Sequence, residues 1–225
     1  ILFFFNITYG CIKMNNDNLR RYTNLPSLLY MLTKKKITLL DPDTWDDKND
    51  SWFLDIYTEE KKLQKTLALC MTRKNETYHH WSVFTSRENG VCIVFDYDKL
   101  VAHLNRQKGI IHGLVRYMTL DKMRKNNIDI DELPFLKRYA FTDETEYRII
   151  YPSTENISVK NISLPVDAIK KISINPWAPK TLFEAVREVI NNIDGCENIK
   201  VGHSSLVNNK EWCKIGSRIK TIVEK

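Results

Sequence analysis

Residues 141–151 read FTDETEYRIIY, and the second half of this segment has the alternation of a β-strand. Every second residue of the last five is tyrosine or isoleucine, which predicts one face in a hydrophobic core. Strand side chains point to opposite faces in turn, so Glu144, Glu146 and Arg148 are expected together on the other face. Two carboxylates and a guanidinium in one row predict a reaction centre. The structural alternative is a solvated sheet face on which Glu146 and Arg148 pair with neighbouring charges.

The chain has the size and composition of a folded domain. Its 225 residues are 43% hydrophobic and 11% aromatic, which is enough to bury a substantial core. Helical and strand patterns follow one another without a repeat, a linker or a low-complexity stretch. This organisation predicts one α+β domain over residues 19–207, with an N-terminal extension at 1–18 and a basic C-terminal tail at 208–225.

Hydrophobic periodicity locates the individual elements. The apolar run GVCIVFD at 90–96 is typical of a central strand covered on both faces. Asn24 is the expected N-cap of a helix that ends at the lysines 34–36. Further strands are predicted at 19–23, 37–40, 67–71, 110–117, 144–151, 157–164, 169–174 and 199–201, and further helices at 58–66, 77–84, 98–105, 120–136 and 181–193.

An acidic segment precedes the helix predicted at 58–66. Residues 41–50 read DPDTWDDKND and contain five aspartates. The segment lacks the glycine at the sixth position and the glutamate at the twelfth that a calcium loop needs. We therefore interpret it as a solvated turn with capping aspartates.

Charge and cysteine content restrict the partners and the compartment. The 34 lysines and arginines exceed the 28 acidic residues, and the resulting charge of +6 suits a polyanionic partner without requiring one. The five cysteines form no CxxC pair, so they are expected to be buried thiols in a reducing cytoplasm, and no metal is predicted. The apolar run at 1–5 is too short to cross a bilayer, so no membrane partner is expected.

Four segments, taken in order, resemble a widespread bacterial family known only as domain of unknown function 2971. They are LRRYT at 19–23, the loop at 40–50, WS at 81–82 with GVCIVFD at 90–96, and ETEYRII at 144–150. The resemblance extends from about residue 19 to residue 174. The loop departs from the family pattern, an asparagine-aspartate-proline-aromatic run, and reads WDDKND at 45–50.

A more distant likeness links the chain to ADP-ribosyltransferases. Those enzymes place a histidine or arginine on their first strand, a serine or aromatic residue on a second, and a glutamate, often as glutamate-x-glutamate, on a later one. Arg21, Trp81-Ser82 and Glu144-x-Glu146 occur here in that order. The likeness implies an ADP-ribosyltransferase-like α+β fold, a central mixed or split β-sheet flanked by short helices, and NAD as the ligand.

The same likeness implies a role for each motif residue. Glu146 would stabilise the oxocarbenium-like state that forms when the glycosidic bond of NAD breaks. Glu144 would orient or deprotonate the nucleophile, and Arg21 would hold the pyrophosphate or a ribose. The aromatic members of the NAD-binding set are the candidates to stack on nicotinamide. That set comprises Arg21, Tyr22, Thr23, Trp81, Ser82, Tyr147 and Arg148.

Two functions from different classes follow. The first is an NAD-consuming transferase or hydrolase with protein or nucleic acid as acceptor, of the kind that serves as a bacterial toxin or antiphage effector. The second is a non-catalytic nucleic-acid-binding module, in which Tyr78 and Trp81 stack on bases. Its phosphate contacts would come from the basic residues in 34–36, 73–74, 106–108 and 122–125.

A third hypothesis and three structural interpretations remain open. The hypothesis is a magnesium-dependent nuclease, whose carboxylates would be Asp46, Asp47, Asp50 and Glu146. The structural interpretations make Arg21 an edge-strand arginine, Trp81 a core residue, and Arg148 a partner that neutralises Glu144 or Glu146.

Overall fold

Strands and short helices alternate along residues 18–223, the part of the chain that the computed structural model describes, apart from the side chains of Thr44 and of residues 220–223. The strands are β1 (Asn18–Asn24), β2 (Lys36–Leu40), β3 (Lys65–Thr72), β4 (Gly90–Asp96), β5 (Ile111–Leu114), β6 (Arg116–Met118), β7 (Leu136–Arg138), β8 (Glu146–Ser153), β9 (Val159–Ser163), β10 (Ile169–Ile174) and β11 (Lys200–His203). The α-helices are α1 (Leu25–Lys34), α2 (Lys48–Glu60), α3 (Tyr78–Phe84), α4 (Tyr97–Leu104), α5 (Leu120–Lys125), α6 (Lys180–Asn191) and α7 (Lys210–Val223). Short 3₁₀ helices cover Pro42–Thr44, Ile130–Phe135, Tyr139–Glu144 and Val166–Ala168. Within this range no helix has the length and apolar character needed to span a membrane.

β3 organises the main sheet because three strands pair with it. β8 pairs antiparallel along the whole of β3. β1 and β2 share the opposite edge, where Arg20 lies beside Thr72 and Leu40 lies beside Ala68. The sheet therefore splits where β1 and β2 separate.

The rest of the sheet extends from both sides of this split. β4 and β10 follow β1, β9 follows β2, and β5 follows β8, all antiparallel, while β11 joins β10 in parallel. β6 and β7 form a separate parallel pair. The described residues thus form one α+β domain with a central mixed sheet, as the sequence predicted.

The main hydrophobic core lies on one face of this sheet. Leu19 of β1, Ile93 of β4 and Ile149 of β8 are fully buried there. Helices α1, α4 and α6 contribute buried apolar side chains to this core, namely Leu28, Leu32, Leu100, Leu104, Val186 and Ile190. β4 lies between β1 and β10, which confirms the central position predicted for residues 90–96.

The first strand and helix agree closely with the sequence prediction. β1 ends at Asn24, whose side chain accepts a hydrogen bond from the Ser27 backbone N at 2.8 Å and so caps α1. The helix ends before Lys35, which adopts the left-handed conformation with φ 52°. Two predictions fall partly outside the described range, since residues 1–17 of the N-terminal extension and Cys11 are not described.

The helix predicted at 58–66 is wrong. The helix here is α2, Lys48–Glu60, and it begins inside the segment that we interpreted as a solvated turn. Asp47 is its cap, because the Asp47 side chain accepts a hydrogen bond from the Asn49 backbone N at 3.1 Å. Residues 65 and 66 belong to β3, whose pairing with β8 outweighs the weak helical pattern.

Two further predictions need correction. The single strand expected at 110–117 is divided at Val115, because the Val115 backbone N bonds to the Glu146 carbonyl and β6 turns away to pair with β7. The region 120–136 is helical only in α5 and in the 3₁₀ helix Ile130–Phe135. Among the cysteines, Cys92 and Cys196 are buried thiols as expected, whereas Cys213 is exposed on α7.

Candidate active site

A cavity of about 480 Å³ opens in the notch where β1 and β2 separate beside β3. Its floor includes Leu69, Cys70 and Met71, which lie between the two points of contact on β3. The walls come from β1, β2, the residues around the start of α2, the helix α3, and the chain from β7 to the start of β8. Four of the predicted site residues line this cavity, and these are Arg21, Tyr22, Glu144 and Glu146.

Arg148 forms the buried base of a charge network beneath the cavity. Its side chain is fully buried, and its Nε and Nη2 donate to Glu146 Oε1 and Oε2 at 2.6 and 3.0 Å. Nη2 also donates to Asp50 Oδ2 at 2.5 Å, and Nη1 donates to the Pro134 carbonyl at 3.0 Å. Arg148 therefore binds Glu146 with two donors, as the interpretation of Arg148 as a neutralising partner expected, and it does not itself reach the cavity wall. The alternative of a solvated sheet face is wrong, because both side chains are buried.

The partners of Glu146 keep it ionised. Burial alone would raise the pKa of Glu146, but the charge and hydrogen bonds of Arg148, followed by Lys137, lower that pKa to about 2. The Cys70 thiol adds a further hydrogen bond to the carboxylate. The Glu146 backbone N donates to the Tyr117 hydroxyl at 2.8 Å, which fixes the start of β8.

Lys137 joins the carboxylates on the cavity side of the network. Its Nζ lies 2.6 Å from Glu144 Oε2, 3.2 Å from Glu146 Oε2 and 3.4 Å from Asp50 Oδ2. Burial alone would lower the pKa of Lys137, but the three carboxylates raise it, so the amine is charged at neutral pH. Lys137 comes from β7, a strand that sequence analysis did not predict, and no local pattern indicated its role.

Glu144 does not lie on a strand, which corrects the prediction that it shares a strand face with Glu146. It is the last residue of the 3₁₀ helix Tyr139–Glu144, and Thr145 then adopts φ 45°, a left-handed conformation that is rare for a β-branched residue. This turn directs the Glu144 carboxylate to the same lysine that Glu146 contacts. Burial raises the pKa of Glu144, so of the two glutamates it is the better proton acceptor.

Arg21 is a cation at the β1 wall that forms no ion pair with any other described residue. Its Nε is buried and has no hydrogen-bond partner among the described residues. Burial lowers the pKa of Arg21 to about 10, and no carboxylate opposes this effect. Arg20, not Arg21, pairs across the sheet with Thr72, which in turn pairs with Glu146. The Arg20 side chain donates to the Lys74 carbonyl at 3.1 Å and to Asn75 Oδ1 at 2.9 Å. Arg21 therefore enters the cavity at the notch itself.

Several predicted site residues lie away from the cavity. Trp81 is fully buried and donates from Nε1 to Glu76 Oε1 at 2.7 Å, so it is a core residue. Tyr147 faces the main core, where its hydroxyl bonds to His112 Nδ1 at 2.6 Å. Thr23 and the exposed Ser82 are not part of the cavity wall.

The structure also weakens both alternative functions. Asp46, Asp47, Asp50 and Glu146 do line one cavity, yet no group of three or more potential metal ligands in the described chain is arranged to hold an ion. Lys137 and Arg148 instead form ion pairs with two of these carboxylates, Asp50 and Glu146. For the nucleic-acid-binding module, stacking of bases on Trp81 is wrong because that ring is 0% exposed, whereas Tyr78 is 53% exposed.

Comparisons with known proteins return few similarities. No protein-family model matches this chain, and no curated protein matches it. Among solved structures the chain is similar to DarT of Thermus sp. 2.9 in complex with ADP-ribosylated ssDNA, at 10% identity and a TM-score of 0.45, over 88% of this chain and 96% of that chain. It is also similar to the same protein in complex with NAD+, at 11% identity and a TM-score of 0.41, over 88% and 97% of the two chains. Both similarities are too weak to carry an argument about function, which rests on the residues of this chain.

Proposed function

We propose that this chain is an ADP-ribosyltransferase-like enzyme that breaks the nicotinamide glycosidic bond of NAD and transfers ADP-ribose to a protein or nucleic acid, or to water. One observation carries the proposal. A single cavity is lined at one side by the partly buried Arg21, which has no ion pair within residues 18–223, and at the other by an ionised carboxylate, Glu146. A dinucleotide such as NAD needs both a cation and a carboxylate in its site. Its phosphates are anionic and would bind Arg21, whereas its reacting ribose carbon becomes positive and would be stabilised by Glu146.

The separation of these two groups suits such a ligand. β1 and β8 lie on opposite edges of β3, so their backbones are roughly 10 Å apart at the usual strand spacing. A buried Nε without a hydrogen-bond partner among the described residues is costly, and phosphate oxygens would accept from this Nε and a neighbouring Nη together. Arg21 is therefore assigned to the pyrophosphate.

The chemistry then divides between the two glutamates. When the bond from the ribose C1′ to nicotinamide breaks, its electron pair leaves with the nicotinamide, and Glu146 stabilises the positive charge left on the ribose. Water or an acceptor heteroatom forms the new bond to C1′ and gives its proton to Glu144. Glu146 remains ionised throughout because Arg148 and Lys137 hold it so.

One aromatic residue of the predicted NAD-binding set remains available for stacking. Tyr22 lines the cavity, whereas Trp81 and Tyr147 are buried in the core. The Tyr22 ring is held by His80, whose ring centroid is 5.3 Å away, and by the edge-on Trp81 at 5.1 Å. Such a fixed ring would bind nicotinamide at little entropic cost.

The experiment measures NAD binding by calorimetry and nicotinamide release by chromatography on the same samples. We expect Glu146→Gln to bind NAD within about threefold of wild type and to release nicotinamide roughly 100-fold more slowly. Arg21→Ala should weaken NAD binding by roughly 10- to 100-fold. Glu188→Gln and Arg106→Ala, at exposed positions outside the cavity, are the matched controls. Absence of NAD binding by the wild type, or full turnover by Glu146→Gln, would refute the assignment.

The biological setting can be tested separately. We infer a toxin or antiphage effector that acts on a macromolecular acceptor in the cytoplasm. Expression in a bacterial host should arrest growth with the wild type and not with Glu146→Gln. Equal growth of the two strains at matched protein levels would contradict this role while leaving the chemistry open to the NAD assay.

A further inference from the structure

Asp50 is a buried carboxylate that the sequence analysis assigned to a solvated turn or to a metal site. It lies in the first turn of α2 and is 3% exposed. Its Oδ2 accepts from Arg148 Nη2 at 2.5 Å and lies 3.4 Å from Lys137 Nζ. Its Oδ1 is buried and has no hydrogen-bond partner among the described residues. Asp50 also lines the cavity, so this unsatisfied oxygen belongs to the candidate site.

The network around Asp50 has more negative than positive groups. Three carboxylates, Asp50, Glu144 and Glu146, face two cations, Lys137 and Arg148. Both oxygens of Glu146 are occupied by Arg148, and Glu144 is held by Lys137. With all five groups ionised this network carries one net negative charge.

We propose that Asp50 is a positioning residue that supplies this surplus negative charge, so that the network stabilises positive charge in the cavity and Glu144 accepts a proton more readily. The effect of Asp50 on catalysis rests on the proposed function, whereas its effect on the pKa of Glu144 does not. Without Asp50, the two cations would balance the two glutamates and the network would be neutral. The charge of Glu146 alone would then be largely cancelled by its own partners.

The expected change at Glu144 follows from the groups that face it. These are Lys137 from β7, Glu146 from β8, Asp50 from α2, Tyr117 from β6, and His80 from α3, whose Nε2 lies 3.5 Å from the Glu144 carbonyl. Burial is the main cause of the raised pKa of Glu144, and the negative charges of Glu146 and Asp50 add to it. Removing the Asp50 charge lowers the pKa of Glu144 and also frees Lys137 to stabilise the ionised form.

The test compares wild type with Asp50→Asn, Asp50→Glu and Asp55→Asn. Asp55→Asn is the control, because Asp55 lies on the same helix at an exposed position outside the cavity. We take an effective dielectric constant of about 20 and a separation of about 7 Å between the Asp50 carboxylate and the positively charged ribose carbon. Loss of the Asp50 charge should then lower kcat roughly 50-fold. KM for NAD should stay within about threefold, and the acidic limb of the kcat profile should move to lower pH. Asp50→Glu restores the charge and should recover most of the rate.

The direct readout does not require turnover. Carboxyl-carbon NMR of the folded protein without ligand measures the pKa of Glu144, which should fall in Asp50→Asn and not in Asp55→Asn. An unchanged Glu144 titration in a folded Asp50→Asn protein overturns the proposal. A lower kcat of Asp50→Asn with an unmoved pH profile also overturns the proposal, because Asp50 would then have only a structural role. If the wild type lacks NAD turnover but the Glu144 titration shifts as expected, the proposed function fails and the electrostatic role of Asp50 stands.

Discussion

Replacing Arg148 with methionine tests whether the buried charge network holds the fold together. Methionine is unbranched and uncharged and replaces the apolar stem of arginine, so the change removes four hydrogen bonds to Glu146, Asp50 and the Pro134 carbonyl and leaves a smaller void than alanine would. Both carboxylates then remain buried with Lys137 as their shared cation. Breaking a buried pair in this way costs about 3–5 kcal/mol, a large part of the roughly 5–15 kcal/mol typical of a domain.

The cost should depend on the carboxylate that Arg148 neutralises. Glu146→Gln alone leaves Arg148 partly unpaired, whereas Glu146→Gln with Arg148→Met removes both charges at once. We expect the double variant to be more stable than the sum of the single changes predicts, with a coupling free energy of about 2–3 kcal/mol.

Urea unfolding at pH 7, followed by tryptophan fluorescence and circular dichroism, gives each free energy of unfolding. The m value checks that the transition stays two-state. Arg106→Met is the matched control, since Arg106 is exposed. A loss below about 1 kcal/mol for Arg148→Met, or strict additivity in the cycle, would show that the network contributes little to stability.

Three further results are expected. The folded pKa of Glu146 is about 2, below its ordinary value of 4.5. Ionised Glu146 should therefore add about 3 kcal/mol to the free energy of unfolding above pH 5, and this contribution should disappear as the pH falls from 4.5 to 2. Urea midpoints measured from pH 6 to 2 should fall more steeply for wild type than for Glu146→Gln. Thr145→Gly relieves the backbone strain of a left-handed φ of 45° and should raise the free energy of unfolding by about 1 kcal/mol. The same change should slow nicotinamide release. A lower free energy of unfolding would show that the Thr145 backbone is not strained. Trp81→Phe removes the bond to Glu76 and core volume, so thermal unfolding should show a loss of about 1–3 kcal/mol. NAD affinity should stay nearly unchanged, because phenylalanine keeps a ring against Tyr22, and weaker NAD binding at unchanged stability would contradict the buried role of Trp81.

Local pattern was sufficient for much of the fold. The cap at Asn24, the strand β1 and the central strand β4 were predicted because capping and hydrophobic periodicity depend on residues within a turn or two. The pairing of Glu146 with Arg148 was anticipated for the same reason, since residues two apart on a strand share a face. The helix predicted at 58–66 failed where the local pattern was weak and pairing with β8 favoured a strand.

The candidate site was predictable only in part. Arg21, Tyr22, Glu144 and Glu146 were named from order along the chain and do line one cavity. Trp81 carried the same kind of motif signal, but whether a tryptophan lies in a core or on a cavity wall depends on what packs over it.

What the sequence determined by itself is therefore the set of local elements and the presence of chemically suitable residues on them. Tertiary structure alone decided that β1 and β2 share one edge of β3, which creates the notch that holds the cavity. It also brought Asp50 to Arg148 across 98 positions of sequence and made Lys137 the link among three carboxylates. Helical and strand periodicities are set by neighbours in the chain, whereas the meeting of charges depends on strand order and on burial, which no short stretch of sequence encodes.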